Sequence, residues 1–245
     1  MPFTFSHPAI ILPLQYLPRK WFSLTGLIIG SLTPDFEYFL RMKVQSVYSH
    51  TLSGIFWFDL PLAIALAFIF HNLIRDDLFN NFPIGIESRI LIFTKFNWNK
   101  YFKENWLIVL ISILIGITSH IFWDAFTHNH GYFVNHLSEL RYTFNFFGNQ
   151  IPIWKTIQHS STFIGGIIIT VAFFKLPKKN LSQSCINIKY WIAIIILTIV
   201  ISAIRFYISF NVKAYGNIIV SVLSAFMISL ILIPFIIKSK VNPKI

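Results

Sequence analysis

The chain has 245 residues, of which 55% are hydrophobic and only 12% charged. Soluble domains carry about 25% charged residues, so this composition excludes an ordinary soluble enzyme, and its hydrophobicity excludes disorder. The formal net charge of +11 is scattered between apolar runs rather than gathered on one face. That pattern argues against nucleic acid as a partner and for a lipid bilayer with basic loops on one side.

Met1–Trp21 has no basic stretch ahead of its apolar residues and does not read as a signal peptide. Ala9–Leu17 and Phe22–Thr33 are each too short to cross about 30 Å of hydrocarbon. They predict a helical hairpin within residues 1–40, turning at Leu17-Pro18-Arg19-Lys20, where Pro18 breaks the first arm. Pro8 suits a first helical position with Ser6 or His7 near the cap, and Pro34 is expected to stop the second arm at Asp35. Five apolar runs of spanning length or nearly so follow: Ile55–Ile74, Trp106–Phe126, Ser160–Leu176, Tyr190–Phe210 and Asn217–Ile237. Backbone groups in lipid must be satisfied within the segment, so each run reads as a helix. The expected fold is all-α, a polytopic membrane helix bundle forming one domain over residues 1–245, its five spans within 55–237. The single cysteine, Cys185, excludes a disulfide framework and a cysteine-rich zinc site.

Basic residues orient the chain. Arg19, Lys20, Arg75, Arg89, Lys95, Lys100, Lys103, Lys175, Lys178, Lys179, Lys189, Lys238, Lys240 and Lys244 fall in alternate connections. The opposite side has Arg41, Lys43, Arg141, Lys155 and Lys213, while Arg205 lies inside a span, where it can snorkel to the interface. The positive-inside rule puts the N-terminus outside and the C-terminus inside. The histidines obey the opposite rule. His7, His50, His120, His128, His130, His136 and His159 map to the outer half, and only His71 to the inner end of a span.

The run Ser119-His120-Ile121-Phe122-Trp123-Asp124-Ala125-Phe126-Thr127-His128-Asn129-His130-Gly131 closes one span. His120 and Asp124 are four apart, so a helix presents both on one face, a spacing by which one helix offers two ligands to a divalent ion. By itself such a pair is as readily a hydrogen-bonded structural contact. His128 lies about 12 Å beyond His120 along a straight helix, so either it serves a second ion or the helix breaks first, at Asn129 or Gly131. His7, Asp35 and His50 map to the same membrane face from separate segments. With His120, Asp124 and His128 they make an N/O donor set suited to Zn²⁺, Mn²⁺ or Fe²⁺. His159 and His130 are further polar candidates, and Asp59 is a candidate to orient a ligand histidine.

Met1-Pro2-Phe3-Thr4-Phe5-Ser6-His7-Pro8, Gly30-Ser31-Leu32-Thr33-Pro34-Asp35-Phe36-Glu37-Tyr38, Ser49-His50-Thr51-Leu52-Ser53-Gly54, the Ser119–Gly131 run and Gln158-His159-Ser160-Ser161 together resemble the bacterial integral-membrane family called domain of unknown function 4184. That resemblance covers the first two-thirds of the chain in order and implies a bacterial cytoplasmic membrane location. A looser one runs to predicted membrane-bound metal-dependent hydrolases, and the His-x-x-x-Asp element is similar to zinc-dependent phospholipase C and the P1-type nucleases. It implies His7, Asp35, His50, His120 and Asp124 as ligands and His128 as ligand or acid. The second His-x-x-x-Glu/Asp helix of a trinuclear pattern is missing, so a mono- or dinuclear centre is expected.

Three functions follow from these residues. The first is a membrane-embedded hydrolase of an ester or phosphoester, with a lipid among its candidate substrates, acting at the outer face. There Asp35 or Glu37 accepts a proton and Arg141 or Lys155 holds a phosphate. The second is a non-catalytic scaffold with a structural metal. The third is a metal or solute transporter, disfavoured because the inner halves of the spans are almost purely apolar.

Overall fold

The computed structural model describes residues 3–18, 20–179, 187–208 and 214–236. Arg19, Cys185, Phe210, Lys213, Ile237, Lys238, Lys240 and Lys244 lie outside the described residues. The chain is built of helices: α1 (Pro8–Ile11), α2 (Leu24–Leu32), α3 (Phe36–Arg41), α4 (Leu52–Asn80), α5 (Ile84–Ile90), α6 (Trp98–Thr127), α7 (Tyr132–His136), α8 (Ile153–Phe174), α9 (Ile188–Ile208) and α10 (Tyr215–Ile236). The helices containing α4, α6, α8, α9 and α10 are long and apolar enough to cross a membrane. Their apolar side chains stay exposed where a soluble protein would bury them, as with Phe163, Ile167 and Val171 on α8 and Ile195, Ile196 and Ile199 on α9. The architecture is all-α, that of a membrane protein.

The elements depart from expectation in three places. Pro34 ends the α-helix of the second arm at Leu32 as expected, but not the helical course of the chain. Lacking an N–H, it tightens the chain into a 3-10 turn, Thr33–Asp35, after which the helix re-forms as α3. The first arm is also divided, with a 3-10 stretch over Leu12–Tyr16 after α1, before Leu17 turns extended ahead of Pro18. Between α7 and α8 stands a short exposed hairpin, Thr143–Phe146 against Asn149–Pro152, with Thr143 opposite Pro152. Its turn residues Phe147 and Gly148 both have positive φ, 48° and 78°, as tight two-residue hairpins demand.

The sequence reads as one domain; internal packing resolves two compact units of non-contiguous segments. The first comprises Met1–Asp35, Tyr48–Ile64 and Asn105–Lys175. Its organising contact is α2 against α6. Gly26 and Gly30, four apart, let the two backbones meet: a Cβ on Gly30 would lie 2.3 Å from the Ile113 carbonyl oxygen, and one on Gly116 of α6 only 2.5 Å from the Leu27 carbonyl. This is the small-xxx-small packing of membrane helices. Ser23 caps α2, accepting from the Gly26 N–H, and its own N–H donates to Ser112 Oγ at 2.8 Å. The N-terminal segment docks on α8, where Ser6 Oγ donates to the Thr162 carbonyl and the Phe3 N–H donates to Thr162 Oγ1. Gly165 admits Ser6, since a Cβ there would stand 2.9 Å from it.

The second unit comprises Phe36–Val47, Ala65–Glu104 and Leu176–Ile245. Tyr190 and Ile194 of α9 pack with Leu230 and Ile233 of α10, and Ile74 and Leu78 of α4 cover them. Ser224 and Ser221 of α10 donate to the carbonyls of Phe39 and Met42, fixing α3 and its following turn. Arg205 also donates to the Met42 carbonyl, at 3.4 Å. Arg75 is buried, donating to Asp76 and to the carbonyls of Phe96 and Thr94.

Candidate metal centre

Six donors gather in the first unit from four parts of the chain. His7 sits at the start of α1, Asp35 in the turn after α2, His50 in the loop before α4, His120 and Asp124 on α6, and His128 just past its end. One ligand atom each of Asp35, His50, His120 and Asp124 lies within 4.8 Å of the others. Asp35 Oδ1 is 3.6 Å from His120 Nε2 and 3.8 Å from His50 Nε2, while Asp124 Oδ2 is 3.4 Å from both. Donors about 2.0–2.2 Å from a tetrahedral cation stand roughly 3.3–3.6 Å apart. The spacing is that of a coordination polyhedron, and is long for direct hydrogen bonds.

Neighbouring groups aim these atoms. Thr4 Oγ1 donates to Asp35 Oδ2 at 2.6 Å, turning Oδ1 inward. His120 Nδ1 donates to the Ser31 carbonyl at 2.7 Å, which leaves the Nε2 lone pair facing the cluster. His50 adopts a left-handed φ of 62°, a conformation uncommon outside glycine, and its Nδ1 is 3.0 Å from Ser49 Oγ. Thr51, immediately after, caps α4 by accepting from the Gly54 N–H. The helix bearing the His-x-x-x-Asp pair ends at Thr127, so His128 folds back until its Nδ1 donates to the Asp124 carbonyl at 3.1 Å, 3.5 Å from Asp124 Oδ1. The break comes ahead of Asn129.

Asp35 and His120 are fully buried, and Asp35 Oδ1, His120 Nε2, Asp124 Oδ1, His7 Nε2 and His128 Nε2 form no hydrogen bond. Burying each such group unsatisfied costs about 1–3 kcal/mol, a cost that a bound cation would offset. Burial above all pushes the His7 imidazole down to about 3, so it is neutral, the form that binds metal. The residues fit a divalent metal ion.

The remaining candidates are placed elsewhere. Glu37 belongs to the second unit and is spent on structure: Oε1 accepts from Arg41 Nε at 2.8 Å and the Val47 N–H at 2.9 Å, and Oε2 accepts from Ser46 Oγ. Arg141 likewise ties down its own loop through the Val134 carbonyl and Asn135. His130 and His159 are exposed, as is Lys155, and Asp59 is buried in a π-helical turn of α4. Sequence reasoning missed Thr4 and the Ser31 carbonyl, although both lie inside the stretches that carry the resemblance.

No curated protein and no solved structure matches this chain. A family model does, described as domain of unknown function (DUF4184), over residues 1–235, and the chain belongs to that family.

Proposed function

We propose that this protein is a membrane-embedded, divalent-metal-dependent hydrolase of an ester or phosphoester. Its site faces the extracytoplasmic side of a bacterial cytoplasmic membrane, with the N-terminus outside and the C-terminus inside. The observation that carries the reading is the convergence of Asp35, His50, His120 and Asp124 at polyhedral spacing. Partial access supports it over a sealed structural site: the side chains of His50 and His128 are 20% and 30% exposed, although their Nε2 atoms are buried, whereas those of Asp35 and His120 are buried throughout. Substrate would therefore enter past His50 and His128. A divalent cation there, with Zn²⁺ the first choice and Mn²⁺ or Fe²⁺ also suited to N/O donors, supplies Lewis acidity and a nucleophile at neutral pH. Asp35, held by Thr4 and shut from solvent, serves as a ligand rather than as a proton shuttle.

The test is hydrolysis of a panel of phospholipids and simple phosphodiesters and carboxylic esters by the purified protein in detergent. Turnover should be lost with chelator and in Asp35→Asn and His120→Ala, and restored to wild type by added metal. Bound metal without turnover across the panel would replace this reading with a scaffold held together by a structural ion.

A further inference from the structure

The carboxylate of Asp124 is shared between two sets of histidines. Oδ2 faces His50 and His120, each at 3.4 Å, while Oδ1 faces His7 Nε2 at 3.6 Å and the ring of His128, whose Nδ1 lies 3.5 Å away and donates to the Asp124 backbone carbonyl, leaving Nε2 as its free donor. A carboxylate flanked in this way on both oxygens has the geometry to bridge two cations. The rings of His7 and His120 decide how many cations it bridges. They stack with centroids 3.7 Å apart and planes only 14° from parallel. An imidazole nitrogen's lone pair lies in the plane of its ring, so its cation must lie near that plane. A cation in the plane of His120 is displaced from the plane of His7 by nearly the stacking distance. The two rings therefore cannot serve one ion; each can serve its own, about 3.5–4 Å apart, the usual separation in two-metal sites.

A second observation points to a ligand beside His7. Its side chain is 2% exposed and its Nε2 makes no hydrogen bond, and the Asp124 Oδ1 it faces makes none either. His128, at the rim, adds a ring whose Nε2 is also buried without a hydrogen bond.

We propose that the centre is dinuclear, with Asp124 bridging two divalent cations. Asp35, His50, His120 and Asp124 Oδ2 hold the first, and Asp124 Oδ1, His7 and His128 hold the second. The first has four protein donors and is coordinatively closed. The second has three, which leaves an open position at the more exposed side, where catalytic sites keep one. This deepens the hydrolase reading and rests on it: substrate would meet the His7–His128 ion.

Metal content of the full chain in detergent tests the proposal. The protein is saturated with Mn²⁺ or Zn²⁺, freed of loose metal by desalting and measured by elemental analysis. Wild type should retain two equivalents, and His7→Ala and His128→Ala one each. Electron paramagnetic resonance of the Mn²⁺ form should show an exchange-coupled pair in wild type and an isolated ion in His128→Ala. His128 is partly exposed at a helix end, so that variant reports even if His7→Ala fails to fold. One equivalent in saturated wild type, or two in both variants, overturns the pair. One equivalent together with chelator-sensitive hydrolysis would do so and leave the hydrolase standing. Two coupled ions with no turnover would keep the pair and remove the hydrolase. No retained metal overturns both.

Discussion

The hydroxyl of Thr4 does for Asp35 what the Ser31 carbonyl does for His120: it orients the donor from behind. Loss of such a partner typically costs 10–100-fold in metal affinity. Thr4→Val, which keeps the shape and removes the hydroxyl, should weaken Zn²⁺ binding by that factor in a chelator competition, and Thr4→Ser should restore most of it. Glu37 should behave oppositely. Its carboxylate anchors Arg41, Ser46 and Val47, and buried hydrogen bonds to charged groups contribute about 1.5–3 kcal/mol each. Glu37→Gln should lower the melting temperature while leaving bound metal at the wild-type ratio. The donors themselves were legible in the sequence because histidine and aspartate are expensive at membrane depth and therefore conspicuous. Their supports were not, since a threonine hydroxyl or a backbone carbonyl has no characteristic spacing. Glu37 misled for a related reason: two residues from Asp35 in sequence, it is turned to another task by the 3-10 turn and α3.

Between elements, the approach of α2 to α6 sets the site. It places Ser31 beneath His120 and delivers Asp35 opposite Asp124, and it depends on glycines whose added Cβ would strike backbone. Gly30→Ala should cost about 1–3 kcal/mol from overpacking and should also lower metal occupancy, because separating the helices separates the donors. Gly166→Ala on α8 is the control: nothing lies within 4 Å of the added Cβ, and helix propensity favours alanine by about 1 kcal/mol. Thermal unfolding and elemental analysis of the two variants should move in opposite directions for stability, and only Gly30→Ala should lose metal. The spans were readable from uninterrupted apolar runs, but their ends were not. The structure extends the Ile55–Ile74 run to Leu52–Asn80 and starts α8 at Ile153, because capping and polar turns continue a helix beyond its hydrophobic part. The hairpin at 143–152 escaped notice because its strands are four residues each and the first is wholly exposed, so neither carries the one-faced alternation that marks a packed strand.

At the scale of the whole molecule, one charge pattern orders everything else. Fourteen Lys and Arg residues fall on one set of connections and five on the other, while seven of eight histidines follow the five. Lys95, at the end of a 3-10 turn, and Asn149, in the short hairpin, are exposed representatives of the two sets. Translocating basic loops is unfavourable, and the bias is counted over short connections near the ends of spans, as these are. The metal donors and the Asn149 hairpin should therefore lie outside and Lys95 inside. In a Cys185→Ser background, a cysteine at position 149 should react with a membrane-impermeant maleimide in intact cells. A cysteine at position 95 should react only after the membrane is opened. The reverse pattern would place the metal donors on the cytoplasmic side, and the substrate would then have to come from within the cell. Labelling at both positions in intact cells would mean a mixed orientation, which a fourteen-to-five bias is expected to prevent.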